Sequence, residues 1–482
     1  MRPGPGWWWN EVAIDPTRGF GVRSGAPRTR PLNDHPSFRH PMAEPRAIER
    51  FASLALVLEW AFGLRVLAAD LVQWYTQRKG VLCVFPDTKA YWYLAGTIRD
   101  GAPYEVLDWG EIPHFALRTP GYPLFLAACR FLFGDRPIAV RLVQAGLGVL
   151  CVWLVYRLTG QFVPEREGEE RRRWTPPLVA AALVAFHPYF IVTSALILTE
   201  ALFLPLMLFG LWALAVLWAG DDLTPRRYQR AWALGAGLAW GAAVLVRPSW
   251  ALFPPTALLV WVVASGRGQR VAAIRWAGLV VLGGLIVMAP WWVRNERLFG
   301  RFVPTAIWTG ASLYDGLNPR ATGASDMDFM NEPELWPLDE ETQDALLRDR
   351  ALAFVRARPG RALGLAVVKF ARYWSPWPNA ESFRSPLVTL ASASFTIPLF
   401  VLMARGLWDR RRDPRALVIL AGPLLYFCAL HMVFASSMRY RIPAEMPAMA
   451  LAAIGASRGS HRLARDRNRS ESVAEGESHR SF

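Results

Sequence analysis

The sequence predicts an all-α polytopic membrane protein with about ten transmembrane helices and two large external loops carrying interfacial helices. Three observations predict it. Hydrophobic residues fill 53% of 482 positions and charged residues only 19%, a membrane composition. The apolar residues gather in runs of the length, roughly 20 residues, that a bilayer crossing needs. The net charge of +15 is carried by Arg spread in short clusters between those runs, which is a topology signal and not the single basic face of a nucleic-acid binder.

Residues 1–49, rich in Pro, Gly and Arg and without an apolar core segment, read as a disordered cytoplasmic tail. The transmembrane domain is expected over 50–457, followed by a second basic cytoplasmic tail over 458–482. The first span, Ala52 to Leu71, leaves a basic flank at Arg46 and Arg50. Ile138 to Val163 returns to Arg166 and Arg171–Arg173. The run from Pro176 to Gly220 is too long for one crossing and is enclosed by basic loops, so it is expected to be a hairpin, turning outside between His187-Pro188 and Ser194.

Ala231 to Val246 and Trp250 to Ala264 form a second hairpin closed by Pro248, and Trp276 to Trp292 crosses outward. Leu387 to Leu407 then returns to the cluster Arg410, Arg411, Arg412 and Arg415. Ala416 to Phe434 goes out, and Pro443 to Gly455 comes back. Parity places two long segments, 73–136 and 294–386, outside, and long ordered loops usually carry function. Within them Thr88 to Ile98, Tyr122 to Phe133, Asp339 to Arg358 and Ala362 to Trp374 read as helices lying along the interface.

Cys83, Cys129, Cys151 and Cys428 show neither metal-ligand spacing nor a disulfide framework. They read as packing residues, with a Cys83–Cys129 bridge as the alternative.

Polar residues that are costly at membrane depth all fall on the expected outer face. Asp87 and Arg118 lie in the first loop, Glu200 and Arg247 at outer span ends, Arg294-Asn295 after an outward span, and Arg439 and Arg441 before the last one. Such a cluster marks a cavity. Arg118, Arg247 and Arg294 are the candidate grips for a phosphate. Asp87 and Glu200 are the candidate catalytic carboxylates, able to take a proton from an attacking hydroxyl or to hold a divalent cation such as Mg or Mn. Tyr122, Asn295, Tyr314, Arg439 and Arg441 are candidate substrate contacts. A multi-span transporter or lipid flippase is the competing class, but it would place its charges near the midplane on broken helices.

The residues Phe85-Pro86-Asp87-Thr88-Lys89-Ala90-Tyr91, then Arg118-Thr119-Pro120-Gly121-Tyr122-Pro123, resemble the first-loop signature of the GT-C glycosyltransferases related to protein O-mannosyltransferases (family 39) and the lipid A aminoarabinose transferase. Arg141-Leu142-Val143-Gln144, Thr199-Glu200, Leu245-Val246-Arg247-Pro248, Trp291-Trp292-Val293-Arg294-Asn295, Gly300-Arg301-Phe302-Val303-Pro304 and Tyr440-Arg441-Ile442-Pro443 continue it in order. The family's first acid falls on Asp87, where its usual Asp-Glu pair is reduced to Asp87-Thr88. Its second acid falls on Glu200, where many relatives carry Asp, and its basic phosphate contact falls on Arg118, where some use Lys. The resemblance implies a cell-membrane glycosyltransferase with its active face on the non-cytoplasmic side. It would move a sugar, with inversion, from a polyprenyl-phosphate donor to a protein, lipid or cell-envelope glycan.

Overall fold

The computed structural model describes residues 45–107, 112–163, 174–220, 225–380 and 384–457, with side chains from Phe51 onward. Most of both expected tails, and the basic cluster 166–173, lie outside the described residues. From Arg46 on, the chain forms one compact unit. Among the described residues it is helical throughout, with a lone antiparallel bridge between Val106 and His114.

Helix α1 spans Pro45–Arg78, and α2 (Asp87–Arg99) and α3 (Gly121–Phe133) are the two short helices expected in the first loop. Helix α4 spans Pro137–Gly160. The Pro176–Gly220 run differs in detail from its expectation. Helix α5 (Pro176–Phe186) bends by 55° at His187-Pro188 and continues as α6 (Pro188–Ala195). The chain reverses only at 196–199, before α7 (Glu200–Ala219). Pro188 removes one backbone donor but sits in the first turn of α6, where none is needed, so the chain bends there without ending the span. The carbonyls freed at the bend are met by a buried cation from α1, as Arg65 donates to Val184 and Ala185.

Helix α8 (Arg226–Val246), a 3-10 turn at Pro248–Trp250, α9 (Phe253–Ala264) and α10 (Arg270–Phe299) follow. Helices α8 and α10 cross at backbone contact. A β-carbon at Gly237 would stand 2.0 Å from the Val280 carbonyl, and one at Gly283 would stand 2.7 Å from that of Leu234. Small residues are what permit so close a crossing in a membrane, where the hydrophobic effect gives helices no reason to associate.

The second loop carries α11 (Thr309–Gly316), α12 (Glu340–Ala357, capped by the Asp339 side chain) and α13 (Pro359–Tyr373). Helices α14 (Pro386–Arg410) and α15 (Pro414–Val433, with a π-helical turn at Leu417–Ala421) lead to α16 over 438–457. Six helices are long and apolar enough to cross a membrane, or seven counting α5 with α6. Helices α8 and α16 and the shorter apolar segment 248–264 are the other three stretches that the sequence reads as crossings. The chain is thus a multi-pass membrane protein. All four cysteines are free.

Hydrogen bonds gather the connectors at the two ends of the bundle. At one end Thr88 donates to the Ile197 carbonyl, Ile307 N to Ala116, Ser436 N to Gly323, and Met438 N to the Asn379 side chain. At the other, Arg410 and Arg415 donate to the carbonyls of Phe162 and Gln161. The two long loops therefore share an end with the 196–199 and 434–437 turns.

Candidate active site

Gly121 sets the first part of the site. The start of α3 lies so close to the end of α8 that a β-carbon at Gly121 would meet the Leu245 carbonyl group at 2.7 Å. That approach brings the segment carrying Arg118 beside the segment carrying Arg247. The second loop closes over both. Buried Glu340 accepts from Phe115 N at 2.9 Å and from Ala116 N at 3.0 Å, and Arg294 donates to the carbonyls of Tyr104 and Phe115 at 3.1 Å.

The candidate residues then form one ionic chain. Arg118 Nη2 stands 3.8 Å from Asp87 Oδ1, Arg439 Nη2 3.6 Å from Asp87 Oδ2, Arg439 Nε 3.0 Å from Glu200 Oε1, and Arg247 Nη1 3.2 Å from the same oxygen. Asp87, Glu200, Arg247 and Arg439 all sit at helix ends, and Glu200 also accepts from Thr199 Oγ1 at 3.3 Å. Glu200 is 1% exposed, whereas the Asp87 side chain is 46% exposed. The carboxylate expected at the bilayer edge is thus reachable from solvent. Asp87 is the first residue of α2, after Pro86 at the N-cap position, and its two oxygens face the two guanidinium groups.

Three guanidinium groups face two carboxylates, so the cluster carries one net positive charge. Aromatic faces hold the cations in place: Arg118 lies 5.4 Å from the Trp308 ring centre, Arg439 4.8 Å from that of Phe85, and Arg247 5.9 Å from that of Tyr440. Arg118 and Arg247 line a cavity of about 450 Å³. Its remaining walls include Tyr91, Trp308, Ser312, Asp315, Leu252, Tyr426, His431 and Tyr440.

Other expected residues do not meet here. Arg294 spends its guanidinium on the Tyr104 and Phe115 carbonyls and the Asn295 side chain, so it braces the first loop and is not among the residues lining the cavity. Asn295 is buried, donating to the Val303 carbonyl. Arg441 is fully buried, pairing with Glu445 and donating to the Tyr373 and Ser375 carbonyls. Tyr122 is buried edge-on to Tyr91, and Tyr314 packs edge-on to Phe329 within the second loop. Arg439, by contrast, is the centre of the ionic chain.

The donor set does not fit a metal between Asp87 and Glu200. A guanidinium occupies the space between the two carboxylates and repels a cation, and no group of three or more His, Cys, Asp or Glu side chains meets among the described residues. Sequence reasoning missed Trp308, Ser312, Asp315 and His431, because nothing in a loop of unremarkable composition marks which of its residues folds back over a helix end.

Residues 117–293 match the model of the dolichyl-phosphate-mannose-protein mannosyltransferase family. Among curated proteins none matches the chain. Two solved structures share its fold. The oligosaccharyltransferase AglB from Archaeoglobus fulgidus, in complex with an inhibitory peptide and a dolichol-phosphate, aligns over 89% of this chain with 15% identity and a TM-score of 0.53. The same organism's oligosaccharyltransferase in the apo form aligns over 88% with 14% identity and the same TM-score. The chain spans about half the length of those proteins, 52% in each case. ArnT from Cupriavidus metallidurans bound to undecaprenyl phosphate aligns over 83% of this chain and 77% of its own, at 15% identity and a TM-score of 0.39. The resemblance read from the sequence therefore holds at the level of fold, and the chain has the architecture of the GT-C membrane glycosyltransferases.

Proposed function

We propose that the protein is a membrane glycosyltransferase that moves a sugar from a polyprenyl-phosphate donor to an acceptor hydroxyl of a protein, lipid or cell-envelope glycan, on the non-cytoplasmic face of the cell membrane. The observation that carries this reading is the cavity walled by Arg118 and Arg247, the two ends of an ionic chain with one positive charge in excess. Such a site is completed by an anion, and its apolar wall at Leu252, Leu430 and Phe434 suits an anion attached to a lipid. That the archaeal structure of this fold is a complex with dolichol-phosphate supports the same choice.

The chemistry follows from charge. The acceptor atom attacks the anomeric carbon from the face opposite the phosphate. The bond from that carbon to the phosphate oxygen breaks with its electron pair on the oxygen, inverting the anomeric centre, and the acceptor proton passes to Asp87. A phosphodiester with one negative charge becomes a monoester with two, so Arg118 and Arg247 bind the transition state more tightly than the donor. No general acid is needed, because the leaving group is stable as an anion. Glu200, buried between Arg247 and Arg439, holds both cations in position. Binding of a polyprenyl phosphate to the purified protein tests the reading. Arg118→Ala and Arg247→Ala should each weaken it about 10- to 150-fold, as for loss of a charged hydrogen bond. Unchanged affinity in both would place the phosphate elsewhere.

A further inference from the structure

One face of α11 has no part in the phosphate chemistry yet forms a wall of the same cavity. Trp308, Ser312 and Asp315, spaced four and three residues apart, fall on one side of the helix and all line it, with Thr309 beside them. Their neighbour Tyr314 turns away into the loop core against Phe329. The face combines a broad aromatic ring, two hydroxyl groups and a buried carboxyl group. It is held over the guanidinium wall by Ile307 N bonded to the Ala116 carbonyl at 2.9 Å and by Glu340 bonded to Phe115 and Ala116. Asp315 is itself fixed, since its Oδ1 accepts from Asp326 N at 2.7 Å.

An aromatic ring offers an apolar face to the C–H side of a sugar ring, while hydroxyl and carboxyl oxygens pair with the sugar's hydroxyl groups and reject a ligand that lacks them. From the placement of this face opposite Arg118 and Arg247 we infer that α11 reads the sugar of the donor, with Asp315 and Ser312 accepting hydrogen bonds from ring hydroxyls. The inference rests on the proposed function, which supplies the phosphate end of the same ligand. It makes α11, and not the ionic chain, the element that decides which sugar is transferred.

Binding to the full-length protein in detergent tests it, with bare polyprenyl phosphate and polyprenyl phosphates bearing mannose, glucose or arabinose as probes. The three sugar-bearing lipids carry the same single phosphodiester charge, and wild type should bind one of them about tenfold or more tighter than the other two. Asp315→Asn keeps the acceptor for Asp326 N, and Ser312→Ala keeps the helix. Each should cut that preference by about tenfold, the scale of one lost hydrogen bond, and Ser312→Ala, which alters no charge, should leave bare-lipid affinity unchanged. The assignment is overturned if wild type binds the three sugar-bearing lipids alike, or if both variants change all the lipids equally or none. A wild-type protein that binds no polyprenyl phosphate at all overturns the proposed function itself.

Discussion

Asp87 and Glu200 are both carboxylates within one ionic chain, yet their surroundings give them different tasks. Asp87, half-exposed and held between Arg118 and Arg439, is the carboxylate proposed to meet an acceptor and take its proton. Asp87→Asn keeps shape, so fold and lipid binding should survive while turnover falls about 100-fold or more. If Asp87 served only the start of α2, Asn would replace it without loss. Steady-state turnover at matched expression separates the two. Glu200 is buried against two cations, and removing its charge strands them. Glu200→Gln should therefore lower the unfolding free energy by about 3 to 5 kcal/mol, the usual cost of breaking a buried pair, visible as a lower thermal midpoint. Sequence alone brought out Asp87, Arg118, Glu200, Arg247 and Arg439, because a charged group at the edge of an apolar run is costly wherever it sits. It could not separate Arg294 or Arg441 from them. Whether a guanidinium faces a cavity or a set of backbone carbonyls depends on the packing of segments far apart in the chain.

Helices bring these residues together through close backbone contacts and through loop docking. Gly121→Ala would drive a β-carbon into the Leu245 carbonyl. Overpacking of this kind costs about 1 to 3 kcal/mol and would part Arg118 from Arg247. Lipid-phosphate affinity should fall together with thermal stability in that variant, although no functional group is lost. Docking of the second loop on the first has a pH dependence. Burial is the largest influence on the Glu340 carboxyl group, outweighs its bonds from Ala116 and Phe115, and raises its pKa above the ordinary 4.5. The folded protein therefore holds this proton more tightly than the unfolded chain. The stabilising contribution is fully present below pH 4.5 and is lost as pH rises through the folded value. Thermal midpoints measured upward from pH 4 should fall in wild type relative to Glu340→Gln, and parallel curves would refute the assignment. Helix positions were legible because apolar runs and Pro-Gly breaks mark them. The turn at 196–199 was not, since a proline at the first turn of α6 looks in sequence like the end of a span but bends the chain without ending it.

On the scale of the whole molecule, the charges of the candidate site lie together at one end, while Arg65 and the Arg441–Glu445 pair are buried inside the bundle with their partners. The ionic chain, the cavity and both long loops lie at one end of the bundle, while Arg410 and Arg415 tie connectors at the other. A transporter would need access to its site from both sides, whereas a surface enzyme drawing a lipid-borne donor from the bilayer needs a site at one end. The GT-C fold was legible from the ordered motifs. The sugar was not, because the face that would read it comes from a loop whose docking no local pattern encodes. The most direct measurement is mass analysis of cell-envelope glycans, glycolipids and glycoproteins from cells lacking the gene, complemented by wild type or by Asp87→Asn. A sugar lost with the gene, restored by wild type and absent with Asp87→Asn is the expected result. Identical glycans in all three strains, or full restoration by Asp87→Asn, would contradict it.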